Sequence, residues 1–308
     1  MKAIVYKSTG SWFIVKDTEG KFWNARLKGI MKTDSITSTN PLAVGDEVEI
    51  ILENENENSV LVTEIAQRNN YVNRQSPRHK FQQHIIASNI DQSILLATLK
   101  TPKTSQGFID RFAIVCEMYH LPLVIIFNKS DLHTEIEENQ FLFYKEMYTS
   151  IGYTVLLTSL KNNSGIEELK SFLENKTSLF SGHSGVGKSS FINLLCPKLN
   201  LKTNDVSGWN GKGMHTTTFV EMYDLPTSGK IIDTPGMREF GIVGIEKQEL
   251  SHYFPEMRKL LSGCQYNNCL HINEPDCAIK KAVQAAQIYE ERYISYLNIY
   301  ESIGEKKY

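Results

Sequence analysis

The chain has 308 residues, 41% of them hydrophobic and 22% charged, a composition that is ordinary for a globular protein and excludes an intrinsically disordered one. Its length exceeds what one small core needs, so we predict two or three domains, and its formal net charge of −2 excludes a global attraction to nucleic acid. No apolar run approaches the about 18 residues of a membrane span and no signal-peptide core follows Met1, so we expect a cytoplasmic protein without a membrane partner.

Short β-rich runs separated by turns occupy the first 68 residues. The predicted strands are residues 3–8, 12–17, 22–27, 46–52 and 60–65. The segment 41–46 resembles the start of a strand in oligonucleotide/oligosaccharide-binding (OB) barrels, and an SH3-type five-stranded barrel is the alternative. We therefore predict an OB-like β-barrel over residues 1–70.

The charge of this predicted barrel does not indicate an RNA-binding surface. Residues 1–68 contain eight Lys or Arg against ten Asp or Glu, so no excess of positive charge drives phosphate binding. Its aromatic side chains would stack on bases if they are exposed, but in a small barrel they more often fill the core. These aromatic residues are Trp12, Phe13, Phe22 and Trp23.

Residues 71–84 contain several basic side chains and no acidic one. We predict a basic linker between two domains, which either contacts phosphate or serves as an ordinary solvated hinge. The basic residues are Arg74, Arg78, His79, Lys80 and His84.

Residues 85–240 show apolar runs separated by helical segments. Residues 93–99, 123–127, 153–158, 178–181 and 230–232 are predicted strands that are buried on both faces. Apolar residues recur at helical spacing from Phe108 to Tyr119 and from Ile166 to Leu173. This alternation predicts an α/β domain with a mainly parallel sheet.

A glycine-rich motif lies between the fourth of these strands and a helix. It fits the phosphate-loop pattern G-x-x-x-x-G-K-[ST], in which glycines let backbone N–H groups converge on phosphate oxygens. Lys188 would add a fixed positive charge and Ser189 would offer its hydroxyl to Mg²⁺. A turn without a ligand is the alternative. The predicted phosphate-binding residues are Gly182, His183, Ser184, Gly185, Val186, Gly187, Lys188, Ser189 and Ser190.

A second motif closes the predicted strand 123–127, at the carboxyl end where open α/β sheets bind ligands. It consists of Asn128, Lys129, Ser130 and Asp131 and resembles the guanine-specificity motif of GTPases. Asp131 would accept two hydrogen bonds from guanine, Asn128 would steady the site and the Lys129 stem would cover the base. Adenine cannot make that pair with Asp131. Thr158 and Ser159, after the next strand, match the supporting guanine loop.

A third motif, D-x-x-G, follows the strand 230–232. Asp233 would hold Mg²⁺ through water, and the Gly236 amide would sense the γ-phosphate. One threonine of residues 216–218 would complete the magnesium shell. We predict Thr217, with its neighbours as alternatives.

The order of these motifs is rotated. In ordinary GTPases the phosphate loop comes first and the base-reading motifs last, whereas here the base-reading motifs come first. We therefore predict a circularly permuted P-loop GTPase domain over residues 85–240. Because the chain leaves this domain just after Asp233 and Gly236, we expect movement of that loop to reach the C-terminal domain directly.

The C-terminal residues 241–308 are predicted to be mainly helical, with a long terminal helix over 282–300. Three thiols and one imidazole lie within fourteen residues there, a set that suits tetrahedral Zn²⁺ and leaves no open position for catalysis. We predict one structural zinc ion, with reduced free thiols as the alternative. The ligands are Cys264, Cys269, His271 and Cys277. The whole is thus a multidomain chain: OB-like β-barrel, α/β permuted GTPase domain, helical zinc-binding domain.

Together these motifs resemble the RsgA/YjeQ family of small-subunit-dependent ribosome-biogenesis GTPases. The likeness covers nearly the whole chain and is most specific at residues 128–131, 182–190, 213–218 and 233–236 and at the zinc set. It implies a monomeric GTPase that hydrolyses GTP to GDP, binds the maturing 30S subunit and its 16S rRNA, is stimulated by that subunit and leaves after hydrolysis.

The residue that orients the hydrolytic water is not evident. Met237 stands where Ras-like enzymes carry a glutamine, and a thioether cannot orient water, so another residue or the ribosome must do so. His215 is a candidate, with simple exposure as the alternative. Two competing functions are a GTP-gated RNA-binding scaffold with little turnover and an ATPase of another phosphate-loop family. Asp131 argues against ATP.

Overall fold

The structure, a computed structural model, describes residues 1–9, 12–28, 41–54, 57–75, 83–197, 199, 220–234 and 244–304. The first five strands form a barrel: β1 (Lys2–Ser8), β2 (Phe13–Asp17), β3 (Phe22–Leu27), β4 (Glu47–Asn54) and β5 (Ser59–Ile65). They pair in the order β1-β2-β3-β5-β4, and β4 pairs back onto β1 to close the barrel. Alternate residues point inwards, so that Val5, Val15 and Val60 are fully buried. The observed barrel agrees with the predicted five strands.

The aromatic residues of the barrel divide into two groups. Phe13 and Trp23 belong to the core, with 2% and 6% of their surface exposed. Trp12 and Phe22 are 53% and 49% exposed. The expectation that aromatic residues fill the core therefore holds for only half of this set.

The segment 71–84, predicted as a basic linker, is in part a β-hairpin. Strand β6 (Tyr71–Gln75) pairs with β7 (Gln83–Ser88) as an antiparallel two-stranded sheet. The physical reason is the burial of apolar side chains: Val72, Ile85 and Ile86 are buried, and Val72 and Ile86 join the core that contains α1. The turn between the strands, residues 76–82, lies outside the described residues.

Among the residues that the structure describes, six strands and four helices form the central α/β unit, whose sheet has the order β10-β9-β8-β11-β13-β12. All neighbours are parallel except β12, which is antiparallel to β13. The strands are β8 (Gln92–Ala97), β9 (Leu123–Phe127), β10 (Thr154–Leu157), β11 (Thr177–Gly182), β12 (Glu221–Asp224) and β13 (Lys230–Asp233). The helices are α1 (Gln106–Met118), α2 (Glu135–Ile151), α3 (Ile166–Leu173) and α4 (Lys188–Leu195). Apolar clusters cover both faces of the sheet, as a buried parallel sheet requires.

The barrel and the α/β unit share one continuous sheet because β1 pairs with β12. Two polar contacts reinforce this junction on the face of Asp224: its carboxylate accepts from the Tyr6 hydroxyl at 2.6 Å and pairs with Lys16 at 2.6 Å. On the other face, Lys7 and Glu221 form an ion pair at 2.9 Å. The barrel is therefore held by the edge strand β12 and also at residues 88–89, where the Ser88 hydroxyl donates to Asp46 at 2.6 Å and the Asn89 amide donates to the Gly45 carbonyl at 2.9 Å.

The described C-terminal residues, 244–304, form the short helices α5 (Pro255–Arg258) and α6 (Ala278–Gln284) and the longer helix α7 (Glu290–Ser302). The predicted single helix over 282–300 is wrong. Ala286 adopts a left-handed conformation with φ of 53°, and the N–H groups of Gln287 and Ile288 both donate to the Ala282 carbonyl. This turn ends α6 and buries Ile288, an outcome that helix propensity alone does not foresee. Among the described residues, no helix is both long and apolar enough to cross a membrane.

A buried arginine fixes the C-terminal part to the α/β unit. Arg292 of α7 is 1% exposed and binds Asp110 of α1 at 2.5 Å and Glu256 of α5 at 2.7 Å. The hydroxyl of Tyr148 donates to the same Asp110 oxygen at 2.8 Å. The guanidinium also lies over the ring of Phe254, 4.6 Å from its centroid. Two C-terminal helices, α5 and α7, and the α/β unit therefore meet at one cation.

We expect Arg292→Met to destabilise the protein by about 3–5 kcal/mol, because Asp110 and Glu256 would be left buried without their cation. Urea unfolding followed by circular dichroism measures the change. The matched control is Arg258→Met, which removes an ion pair with Glu117 whose arginine is 48% exposed. That control should cost less than about 1 kcal/mol. Equal losses in the two variants would contradict the role given to Arg292.

Candidate functional site

Five parallel strands end at one edge of the sheet, and the described residues of the predicted nucleotide motifs lie there. Asn128 follows β9, Thr158 follows β10, the phosphate loop follows β11 and Asp233 ends β13. Ligands of open α/β sheets bind outside these carboxyl ends. The structure therefore brings the sequence-predicted residues that it describes into one cleft.

Asn128 connects the base-reading side of this cleft with the phosphate loop. Its side chain is buried, and its Nδ2 donates to the Val186 carbonyl at 2.8 Å, while its Oδ1 accepts from the Thr158 hydroxyl at 3.3 Å. The close approach requires glycine at 187, where a Cβ would lie 2.6 Å from Asn128 Nδ2 and where φ is 100°. Asn128 thus fixes the distance between the two halves of the cleft.

Asp131 is oriented by the loop after β10. The Ser159 hydroxyl donates to Asp131 Oδ1 at 2.5 Å, and the backbone N–H of Ser130 donates to the Thr158 carbonyl at 3.1 Å. Asp131 is otherwise exposed, so its carboxylate can accept hydrogen bonds from a ligand. Lys129 adopts a left-handed conformation with φ of 66°, and its Nζ donates to the Thr101 carbonyl at 2.7 Å. Burial lowers the pKa of Lys129.

The phosphate loop leads from β11 into α4, which begins at Lys188. Gly185 has a φ of 84°, in the left-handed region that other residues avoid. Since the first N–H groups of a helix lack intrahelical partners, the start of α4 can bind an anion. The ammonium of Lys188 and the hydroxyl of Ser189 lie at that same helix start.

The cation and the carboxylate of this cleft lie in contact. Lys188 Nζ is 2.6 Å from Asp233 Oδ1 and also donates to the Thr234 carbonyl. The Asp233 side chain is fully buried, and Lys188 is 13% exposed. A buried carboxylate, a serine hydroxyl and an ammonium at a helix start suit Mg²⁺ and phosphate, since Mg²⁺ prefers oxygen ligands. Four further predicted residues, His215, Thr217, Gly236 and Met237, lie outside the described residues.

One contact of the phosphate loop was not foreseen from the sequence. The ring of His183 packs on the ring of Phe108 of α1, with centroids 3.7 Å apart and an interplanar angle of 31°. The helical spacing of Phe108 indicated only a core position. No local pattern links two residues so far apart in the chain, so only the tertiary structure shows this pair.

The four predicted zinc ligands converge in the C-terminal part, with all ligand atoms within 4.8 Å of one another. Zn–S bonds of about 2.3 Å at tetrahedral angles separate two sulfurs by about 3.8 Å. The observed distances are 4.0 Å for Cys264 Sγ to Cys277 Sγ, 3.3 Å for His271 Nδ1 to Cys277 Sγ, and 3.6 Å for Cys264 Sγ to His271 Nδ1. The cluster fits a structural zinc site with four protein ligands, as predicted.

The backbone around these ligands is held by side chains of the second shell. The hydroxyls of Tyr293 and Tyr296 donate to the carbonyls of His271 and Leu270 at 2.6 and 2.8 Å. Glu274 accepts from the N–H of Leu270 at 2.7 Å and from that of Ile272 at 2.9 Å. Burial lowers the pKa of His271, which favours the neutral imidazole that a metal requires.

We expect Cys277→Ser to lose the zinc ion and to lower the melting temperature, because three ligands hold zinc far less tightly than four. Zinc content by atomic emission should fall from about one ion per chain to well below half of that. Cys196→Ser is the control, since Cys196 is buried next to Asp224 and far from the cluster. Full zinc content in Cys277→Ser would refute the ligand assignment.

Comparisons with known proteins agree with this architecture. The RsgA GTPase family model matches residues 65–243, and the RsgA N-terminal domain model matches residues 2–60. A small ribosomal subunit biogenesis GTPase RsgA from Cytophaga hutchinsonii is 50% identical over 97% of each chain. One from Flavobacterium psychrophilum is 48% identical over 99% of this chain and 94% of its own.

Two solved structures are similar along their whole length. YjeQ from Thermotoga maritima has a TM-score of 0.79 and 32% identity over 99% of both chains. YloQ, described as a circularly permuted GTPase, has a TM-score of 0.75 and 30% identity over 100% of this chain and 96% of its own. The predicted fold class, with its rotated motif order, is thereby confirmed. On the family matches and these identities, the chain belongs to the RsgA family of circularly permuted GTPases.

Proposed function

We propose that this chain hydrolyses GTP to GDP and phosphate in the cytoplasm during maturation of the small ribosomal subunit, and that the subunit stimulates hydrolysis. The observation that carries the proposal is the hydrogen bond from Asn128 to Val186, which joins a guanine-type loop and a phosphate loop in one cleft. Membership of the RsgA family supports the biological role, since the relatives are named small ribosomal subunit biogenesis GTPases.

Within this proposal, the base is read by the loops after β9 and β10. The assigned residues are Asn128, Lys129, Ser130, Asp131, Thr158 and Ser159. The phosphates are bound by residues 182–190, in which Lys188 supplies the charge. The site distinguishes guanine from adenine through the two hydrogen bonds that Asp131 accepts from guanine.

Magnesium is the cofactor that the GTPase family implies. Ser189, Thr217 and, through water, Asp233 would hold it, and it would neutralise charge on the transferred phosphoryl group. Gly236 would sense the γ-phosphate. The water would be oriented by His215 or by the ribosome, since Met237 cannot do so. We assign these roles over a GTPase domain of residues 85–240, between a barrel of residues 1–70 and a zinc-binding domain of residues 241–308.

The partner is the 30S subunit with its 16S rRNA, bound by a monomer. On the barrel, the exposed Trp12 and Phe22 offer aromatic surface on which unpaired bases can stack, whereas Phe13 and Trp23 are committed to the core. Lys16 lies 5.4 Å from the centre of the Phe22 ring, but its charge is compensated by Asp224 at 2.6 Å. Stacking on the two exposed rings does not depend on the net charge of the barrel.

Phosphate release from GTP, measured with and without purified subunits, tests the proposed function. We expect 30S subunits to raise the rate by at least about tenfold, because activators of this class supply missing catalytic groups. The 50S subunit is the matched control and should leave the rate unchanged. Tight GTP-dependent binding to 30S without faster phosphate release would instead support a GTP-gated scaffold, and would contradict the enzyme.

We expect Asp131→Asn to weaken GDP binding by about 10²-fold or more, because the new amide presents an N–H group to the guanine N–H. Xanthosine diphosphate, which carries a carbonyl in place of the guanine amine, should bind this variant better than GDP does. Isothermal titration calorimetry with GDP and with xanthosine diphosphate measures whether the variant prefers the second nucleotide. Asp276→Asn is the control, because Asp276 pairs only with the exposed Lys281. An unchanged preference for GDP would contradict the role of Asp131.

A further inference from the structure

Three neighbouring strands place a lysine and two carboxylates in one row. Lys7 of β1 lies opposite Glu221 of β12, and Glu221 lies opposite Asp233 of β13. Residues directly opposite in antiparallel strands project from the same face of the sheet, with Cβ atoms about 5 Å apart. The row therefore runs from the barrel to the carboxylate of the nucleotide cleft.

The contacts of these side chains agree with the register. Lys7 and Glu221 are 2.9 Å apart and only 28% and 29% exposed, and Asp233 contacts Lys188 at 2.6 Å. Tyr223, two residues after Glu221, has its pKa raised by burial first and then by Glu221 and Asp233. Its ring packs in the apolar cluster that contains Phe191 of α4. Both carboxylates thus act on the face of the sheet that α4 covers.

Each carboxylate of the row has a lysine as its partner. Lys7 compensates Glu221, and Lys188 compensates Asp233, while the two carboxylates are neighbours. Glu221 belongs to none of the nucleotide motifs. Its cation comes from the barrel, so the barrel influences the electrostatic potential next to Asp233. At the partial exposure of this pair the influence is screened but not abolished.

We propose that Glu221 is a second carboxylate that tunes the divalent-cation site at Asp233, and that Lys7 of the barrel sets how strongly it does so. This inference rests on the proposed role of Asp233 in holding Mg²⁺. The negative charge of Glu221 attracts the cation and repels the nucleotide phosphates. Lys7 opposes both effects. By linkage, the cation site and the docking of the barrel on β12 influence each other.

The signs of these effects give a test that uses the full-length protein and a fluorescent N-methylanthraniloyl GDP. In Glu221→Gln, the Mg²⁺ concentration that half-maximally slows GDP release should rise by about 3- to 10-fold. The affinity for GDP without Mg²⁺ should increase by about 2- to 5-fold. Lys7→Met should change both quantities in the opposite directions. Both shifts should shrink at about 0.5 M salt, since they are electrostatic.

A matched control separates the effect of charge beside Asp233 from the effect of barrel docking on β12. Lys16→Met removes the ion pair with Asp224 at the same junction, but Asp224 projects from the opposite face of β12, towards Tyr6. It should leave the Mg²⁺ dependence within about twofold of wild type, because no charge changes beside Asp233. The double variant Lys7→Met/Glu221→Gln should fall between the two single variants.

Four results would overturn the inference. Shifts of the same sign in Lys7→Met and Glu221→Gln, or an equal shift in Lys16→Met, would show that barrel docking alone matters. Unchanged Mg²⁺ dependence in all variants of a protein that binds GDP normally would remove the inference and leave the proposed function intact. A wild-type protein that binds no GDP would overturn both.

Discussion

The hydrogen bond between Asn128 and the Val186 carbonyl is the interaction on which the arrangement of the cleft depends. It joins loops that follow different strands, and it holds the base-reading side at a fixed distance from the phosphate loop. If one partner were lost, the other buried polar group would cost about 1–3 kcal/mol. This hydrogen bond depends on where the two loops lie in the fold and not on their order along the chain. The cleft therefore keeps its geometry although the motifs occur in a rotated order.

The rotated order determines where the other parts of the chain attach. The barrel pairs with β12, which is the neighbour of β13, and the chain leaves β13 just after Asp233 on its way to the C-terminal part. The barrel therefore joins the side of the sheet that carries Asp233. The C-terminal part packs instead on α1 and α2, where Arg292 binds Asp110 and Tyr289 contacts Phe143. A partner that moves the barrel acts first on the phosphate end of the cleft, through β12 and β13.

The sequence was most informative where the local chemistry is strict. A phosphate loop needs its glycines and Lys188, zinc needs a dense set of soft ligands, and strands buried on both faces need unbroken apolar runs. It misled where weak local signals competed. In the segment 71–84, the basic residues led to the prediction of a linker, whereas the burial of Val72 favours the observed β-hairpin. In the segment 282–300, residues with high helix propensity led to the prediction of one continuous helix, although the chain turns at Ala286.

Contacts between distant segments could not be predicted in this way. Lys7 and Glu221 are separated by 214 positions, and neither belongs to a motif, so their pairing follows only from the docking of the barrel on β12. The stacking of Phe108 on His183 is of the same kind. Such pairs carry no local periodicity, because they arise only when distant segments of the folded chain meet. The pair of Lys7 and Glu221 is also a contact through which the barrel and the α/β unit influence each other.

A continuous set of buried and half-buried contacts runs from the zinc cluster to the phosphate loop. Two tyrosines of α7 hold the backbone of the zinc ligands, Arg292 of the same helix binds Asp110 of α1, and Phe108 of α1 packs on His183. The C-terminal core also includes Ile114 of α1, so that helix completes the core of this part. A shift of the phosphate loop must therefore either move α1, α7 and the zinc cluster together or break one of these contacts.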